Sequence, residues 1–139
     1  VRWLLDTNVI SELRRKAPAS AVLSWIEERA PSSLYLSVLT LGEIRKGVEL
    51  LDDSARRQRL TDWLDGELPA WFDGRILPID AGVAHRWGCL QAQARRPLAA
   101  IDSLLAATAL AHDLTLVTRN VRDFAGLSVR LVDPWERAG

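Results

Sequence analysis

Four acids stand where short apolar runs give way to polar residues or where a helix should begin. They are Asp6 in VRWLLDTN, Glu43 in TLGE, Asp102 in IDSLL and Asp123 in TRNVRDF. Each has a local explanation. Asp6 can cap a first helix, and Glu43 can complete a Ser/Thr-x-x-Glu capping box opened by Thr40. Asp102 suits the positive end of a helix, and Asp123 can close a turn begun at Asn120. Together they point further. Three or four carboxylates held at one place raise one another's pKa, and a divalent cation relieves that repulsion. An oxygen-only donor set favours Mg²⁺ or Mn²⁺ over zinc.

What gathers the acids is a pattern of strands alternating with helices. Trp3-Leu4-Leu5 lacks polar alternation and reads as a strand buried on both faces. A helix from Asn8 to Lys16 follows, with Glu12 and Lys16 spaced as an i,i+4 pair. Pro18 suits the first turn of a second helix, whose stripe is Val22, Leu23, Trp25 and Ile26. Leu34–Val38 is the second strand, and Thr40 opens the next helix. Asp52-Asp53-Ser54 caps a longer helix with one apolar face: Leu60, Trp63, Leu64, Leu68, Trp71 and Phe72. That face serves as core or as a partner surface.

Arg75–Ile79 is a short strand, and Asp80 caps a helix reaching Gln93. Ile101–Ala111 is a compact Ala/Leu helix with Asp102 in its first turn. Thr115–Thr118 and Val129–Val132 are further strands, and the tail from Asp133 to Gly139 is expected to fray. The alternation predicts an α/β domain, a mostly parallel central sheet flanked by helices. Such a sheet sets strand-to-helix junctions along one edge, where ligands bind. All four acids fall there.

Composition narrows the function. At 139 residues the chain is long enough for one core without disulfides. The single Cys89, read as a small buried hydrophobe, excludes an internal disulfide, and no apolar run is long enough to span a membrane. No tripartite secretory pattern opens the chain, so a cytoplasmic setting is expected. Basic and acidic residues balance at 18 each, which marks no obvious nucleic-acid binder. The basic residues nonetheless cluster at Arg14-Arg15-Lys16, Arg56-Arg57-Arg59, Arg95-Arg96 and Arg119/Arg122. Segregated signs at zero net charge suit an acidic pocket rimmed by arginine. P-loop, dinucleotide and nucleophile-elbow motifs are all absent from the sequence. His85 and His112 each stand alone.

DTNVISEL (Asp6–Leu13), SVLTLGEIRKG (Ser37–Gly47), IDSLLAATAL (Ile101–Leu110) and LVTRNVRDF (Leu116–Phe124) resemble, in order and spacing, the four signature blocks of a PIN domain. The likeness runs from Arg2 to about Trp135, giving a PIN-like, Rossmann-like domain over residues 1–135 and a short tail over 136–139. The order and spacing are similar to those of the VapC and FitB-like toxins of bacterial toxin–antitoxin pairs. The resemblance implies a Mg²⁺-dependent endoribonuclease, with Mn²⁺ as a substitute. It also implies a homodimer, a cognate antitoxin that holds it inactive, and higher assemblies with that antitoxin. Asp6 and Asp102 match direct metal ligands, and Glu43 matches a third acid acting through water or at a second ion. Thr118 matches the hydroxyl beside the site. The fourth acidic position is open between Asn120, where many relatives carry Asp, and Asp123. Asn8, Thr118, Arg119 and Asn120 complete the expected polar and phosphate-binding surroundings. The alternative reading is a weakened PIN module that grips RNA or an antitoxin without cutting.

Overall fold

The computed structural model describes residues 1–136. Five strands form one parallel sheet: β1 (Trp3–Leu5), β2 (Leu34–Ser37), β3 (Ile76–Leu77), β4 (Thr115–Val117) and β5 (Leu131–Val132). Their spatial order is β3-β2-β1-β4-β5. The chain runs outward from β1 to β3, then returns to lay β4 against the other flank of β1. The order therefore reverses at β1, and the crevice beyond its carboxyl end is the ligand-binding position of such sheets.

The helices are α1 (Thr7–Leu13), α2 (Ser20–Glu27), α3 (Val38–Glu49), α4 (Ser54–Asp62), α5 (Leu68–Trp71), α6 (Ala81–Gln93) and α7 (Ala100–Ala111). They cover both faces of the sheet, as the apolar strand composition requires. Leu4 and Leu116 face a core built with Val83, Leu90, Leu105, Ala106 and Phe124. Their chain neighbours Leu5 and Val117 face the opposite core with Val9, Ile10, Val22, Leu64 and Phe72. Successive side chains of a strand point to opposite faces, so a run of apolar residues serves two cores at once. Ala106, Ala107 and Ala109 are fully buried and let α7 pack closely on the sheet.

Several local expectations are corrected. Helix α1 ends at Leu13, so Glu12 meets Arg15 and the Ala19 N–H rather than Lys16. Pro18 lies before α2, which starts at Ser20 with no side-chain cap. Helix α3 is capped by Ser37, whose hydroxyl accepts from Leu39 N at 3.0 Å. Thr40 and Glu43 therefore lie inside α3, one turn apart, and form no capping box. A π turn over Trp63–Glu67 joins α4 to α5. It buries Leu64, Leu68 and Phe72 but leaves Trp71 exposed, so the single apolar face divides. Cys89 is exposed rather than buried.

The tail is better packed than its composition suggests. Pro134 is buried, Trp135 packs on the second core, and Trp135 N donates to Asp133 Oδ1 at 2.8 Å. Residues 137–139 of the expected tail lie outside the described residues. Asp53 and Asp80 cap α4 and α6 as anticipated. No described helix is long and apolar enough to cross a membrane.

Candidate active site

Strand register builds the centre of the site. Leu4 pairs with Leu116 and Leu5 with Val117, so the next residues, Asp6 and Thr118, leave the sheet side by side. The Asp6 N–H donates to Val117 O at 2.9 Å, continuing the ladder by one bond. Thr118 Oγ1 then donates to Asp6 Oδ2 at 2.8 Å, and Thr7 N donates to Asp6 Oδ1 at 2.7 Å. Both carboxylate oxygens are thus oriented. Asp6 is also the N-cap of α1, so the helix-capping and site readings describe one geometry.

Thr118 is the hub. Its fully buried hydroxyl accepts from Asn8 Nδ2 at 3.3 Å and from Asn120 N at 3.1 Å while donating to Asp6. Asn8 Oδ1 accepts from Arg119 N at 3.4 Å. Asn8 and Asn120 therefore organise the loop after β4. The Asn120 side chain is exposed and makes no cap for the 3₁₀ turn Val121–Phe124. The Arg119 guanidinium lies over the Trp135 ring, 4.9 Å from its centroid.

Glu43 is held from α1. Thr7 Oγ1 donates to Glu43 Oε1 at 2.6 Å and stands 3.2 Å from the buried Thr40 hydroxyl. Thr7 escaped the sequence reading although it directly follows Asp6, and Thr40, one helical turn before Glu43, was read only as a helix cap. Asp102 projects from the first turn of α7. Arg96, from the Arg95-Arg96 cluster, donates to the carbonyls of Asp123 and Ala125 at 2.8 and 3.2 Å and steadies the turn carrying Asp123.

Electrostatics ties the acids together. Asp6 is only 8% exposed, and burial pushes its pKa above the ordinary value. The Thr118 and Thr7 hydrogen bonds oppose that rise, while the charges of Glu43 and Asp102 add to it. Asp102 is raised by burial, then by the charges of Asp123 and Glu43, with Arg96 opposing. Glu43 thus acts on both Asp6 and Asp102 at one sheet edge, and of the two candidates for the fourth position it is Asp123 that brings charge to Asp102. Among the described residues no three acidic, histidine or cysteine side chains converge closely enough to cage a cation unaided. The donor set is oxygen-only, partly desolvated and mutually repulsive. That suits a hard cation which keeps much of its water shell.

A family model described as PIN domain matches residues 3–128. The chain belongs to the PIN domain family. It is 37% identical over 138 residues to a VapC ribonuclease of Sinorhizobium fredii, covering 97% of this chain and 99% of that protein. To the toxin FitB of Neisseria gonorrhoeae it is 38% identical, covering 95% and 97% of the two chains. The crystal structure of FitAcB from the same organism superposes with a TM-score of 0.92 at 37% identity, covering 97% of this chain and 99% of that one. A toxin–antitoxin complex from Klebsiella pneumoniae gives a TM-score of 0.69 at 27% identity, with 96% and 98% covered. The five-stranded parallel PIN architecture and the likeness to VapC and FitB proteins agree with the resemblance read in the four sequence blocks.

Proposed function

We propose that this chain is a divalent-metal-dependent endoribonuclease acting as the toxin of a toxin–antitoxin pair. The observation that carries the reading is the Asp6 carboxylate, buried and pinned by Thr118 at the reversal point of the sheet, with Glu43 and Asp102 close enough to raise its pKa. Near-full-length likeness to a named VapC ribonuclease and to toxin FitB supports both halves of the proposal.

In this reading Asp6 and Asp102 hold Mg²⁺ or Mn²⁺, and Glu43 reaches it through water. When bound, such a cation polarises a phosphate oxygen and acidifies water for in-line attack on the phosphodiester. The protein supplies position and proton handling. Thr7 occupies Glu43 Oε1 and leaves Oε2 to orient a water or take its proton. Asp123 adds negative charge on the Asp102 side of the site. Arg119 and Arg122 stand on the loop after β4, where they can meet backbone phosphates, contacts that position a strand without reading its sequence.

The likeness to a toxin–antitoxin complex supports an antitoxin partner, and a homodimer in the cytoplasm completes the reading. The test is incubation of structured RNAs with purified protein in Mg²⁺, Mn²⁺ or EDTA. Cleavage in either metal and none in EDTA is the expected result. Cleavage undiminished by EDTA sinks the metal-dependent reading.

A further inference from the structure

One surface of the molecule contradicts its zero net charge. A groove of about 960 Å³ starts at Thr7 and Glu43 in the acid site and runs between α3, α4 and the segment after α1. Arg14, Arg15, Lys16, Arg56 and Arg59 line it, and among the described residues Glu43 is its one lining acid. Two of the basic clusters, far apart in sequence, thereby meet on one groove.

These cations differ from several others in the chain. Arg45 pairs with Asp65 and Arg130 with Asp113, while Arg29, Arg75 and Arg96 are spent on backbone carbonyls. Among the described residues Arg14, Lys16, Arg56 and Arg59 have no carboxylate partner, and Arg15 shares Glu12 while staying two-thirds exposed. The segment carrying Arg14–Lys16 is held in place. Buried Glu12 accepts from Ala19 N at 2.8 Å and closes the connection on itself. Arg14 lies over the Trp63 ring, 4.8 Å from its centroid, so the groove also contains a flat cation–aromatic platform. A charged groove beside a stacking surface is how proteins hold a single nucleic-acid strand. Complementing the dipole at the end of α1 would account for Arg14 and Arg15, but not for Arg56 and Arg59 on α4.

We propose that this groove is the path of the RNA strand, with Arg14, Arg15, Lys16, Arg56 and Arg59 gripping successive phosphates and delivering the chain to the acids. The inference rests on the nuclease reading for the identity of the strand and specifies where the substrate lies.

The test is fluorescence anisotropy of a fluorescein-labelled 12-nucleotide single-stranded RNA in EDTA, across a range of KCl concentrations. Arg56→Gln/Arg59→Gln is compared with the charge-matched pair Arg86→Gln/Arg130→Gln, which lies outside the groove. For single strands each phosphate contact contributes about 0.7 to the slope of log affinity against log salt. The groove pair should therefore flatten the slope by about 1.4 and weaken binding roughly tenfold, with the control pair at wild type. Equal losses in both pairs, or none in the groove pair, overturn the proposal. So does unchanged RNA binding with selective loss of an oligo-glutamate peptide, which would make the groove a site for an acidic protein segment. EDTA separates this test from catalysis. Groove-dependent binding without cleavage in Mg²⁺ would remove the nuclease reading alone, and cleavage without groove dependence would remove the path alone.

Discussion

Thr118 Oγ1 donates to Asp6 Oδ2 across 112 residues of sequence, at 2.8 Å and out of solvent. This bond joins the ends of β1 and β4, and the same oxygen accepts from Asn8 and Asn120. Thr118→Val keeps the shape but strips all three partners, leaving a buried carboxylate oxygen without its donor. The expected cost is about 2 kcal/mol in urea unfolding. Thr118→Ser keeps the hydroxyl and should cost no more than a buried methyl group, about 0.8 kcal/mol. Equal losses in the two variants would show that the methyl, not the hydrogen-bond hub, matters.

Asp102 gives a pH-dependent prediction. Its pKa is raised above the ordinary 3.8, so in metal-free protein the charged form is favoured less in the fold than in the unfolded chain. A raised carboxyl pKa makes folding less favourable as pH rises through and above the unfolded value. Asp102→Asn should therefore melt higher than wild type in EDTA at pH 7, by ~2 °C given the solvent access of the site. The gain should vanish below the ordinary carboxyl pKa, where both side chains are neutral. A lower Tm at pH 7 in EDTA would contradict the repulsion described for the acid edge.

Glu12 has the opposite sign. The Ala19 N–H first, and then Arg15, hold its pKa below the ordinary 4.5. Its ionised form stabilises the fold at pH values above the unfolded pKa, and that contribution is lost as pH falls through the lower folded value. Glu12→Gln keeps an acceptor for Ala19 but not the charge. Wild type should exceed it in stability at pH 7, and acid titration of urea midpoints should bring the two together. Parallel midpoints at every pH would show that the charge contributes nothing.

The architecture was legible in the sequence because its signals are local. Apolar runs bounded by polar junctions mark Trp3–Leu5, Leu34–Ser37 and Thr115–Val117, and Asp53 and Asp80 mark helix starts. The acids could be grouped because a parallel sheet sends strand ends to one edge. What escaped depends on register and side-chain direction. Thr40 and Glu43 have capping-box spacing, yet Ser37 starts the helix one turn earlier and points both residues at Thr7. The shortness of α1 turned Glu12 from a surface partner of Lys16 into an anchor for Ala19. The basic groove was foreshadowed only as segregated charge, since residues 14–16 and 56–59 meet through packing of α3 and α4 and not through sequence proximity.

The measurement that bears most directly on the nuclease reading is RNA cleavage by wild type and Asp6→Asn, side by side, in Mg²⁺ and in EDTA, with matched circular dichroism spectra. Asp6→Asn keeps the side-chain shape and an acceptor for Thr7 N but removes the charge pinned by Thr118. Wild type should cleave in Mg²⁺ and not in EDTA, and the folded variant should cleave only at background. Wild-type rates in the variant would contradict it, because the acid that organises the site would then play no part in the chemistry.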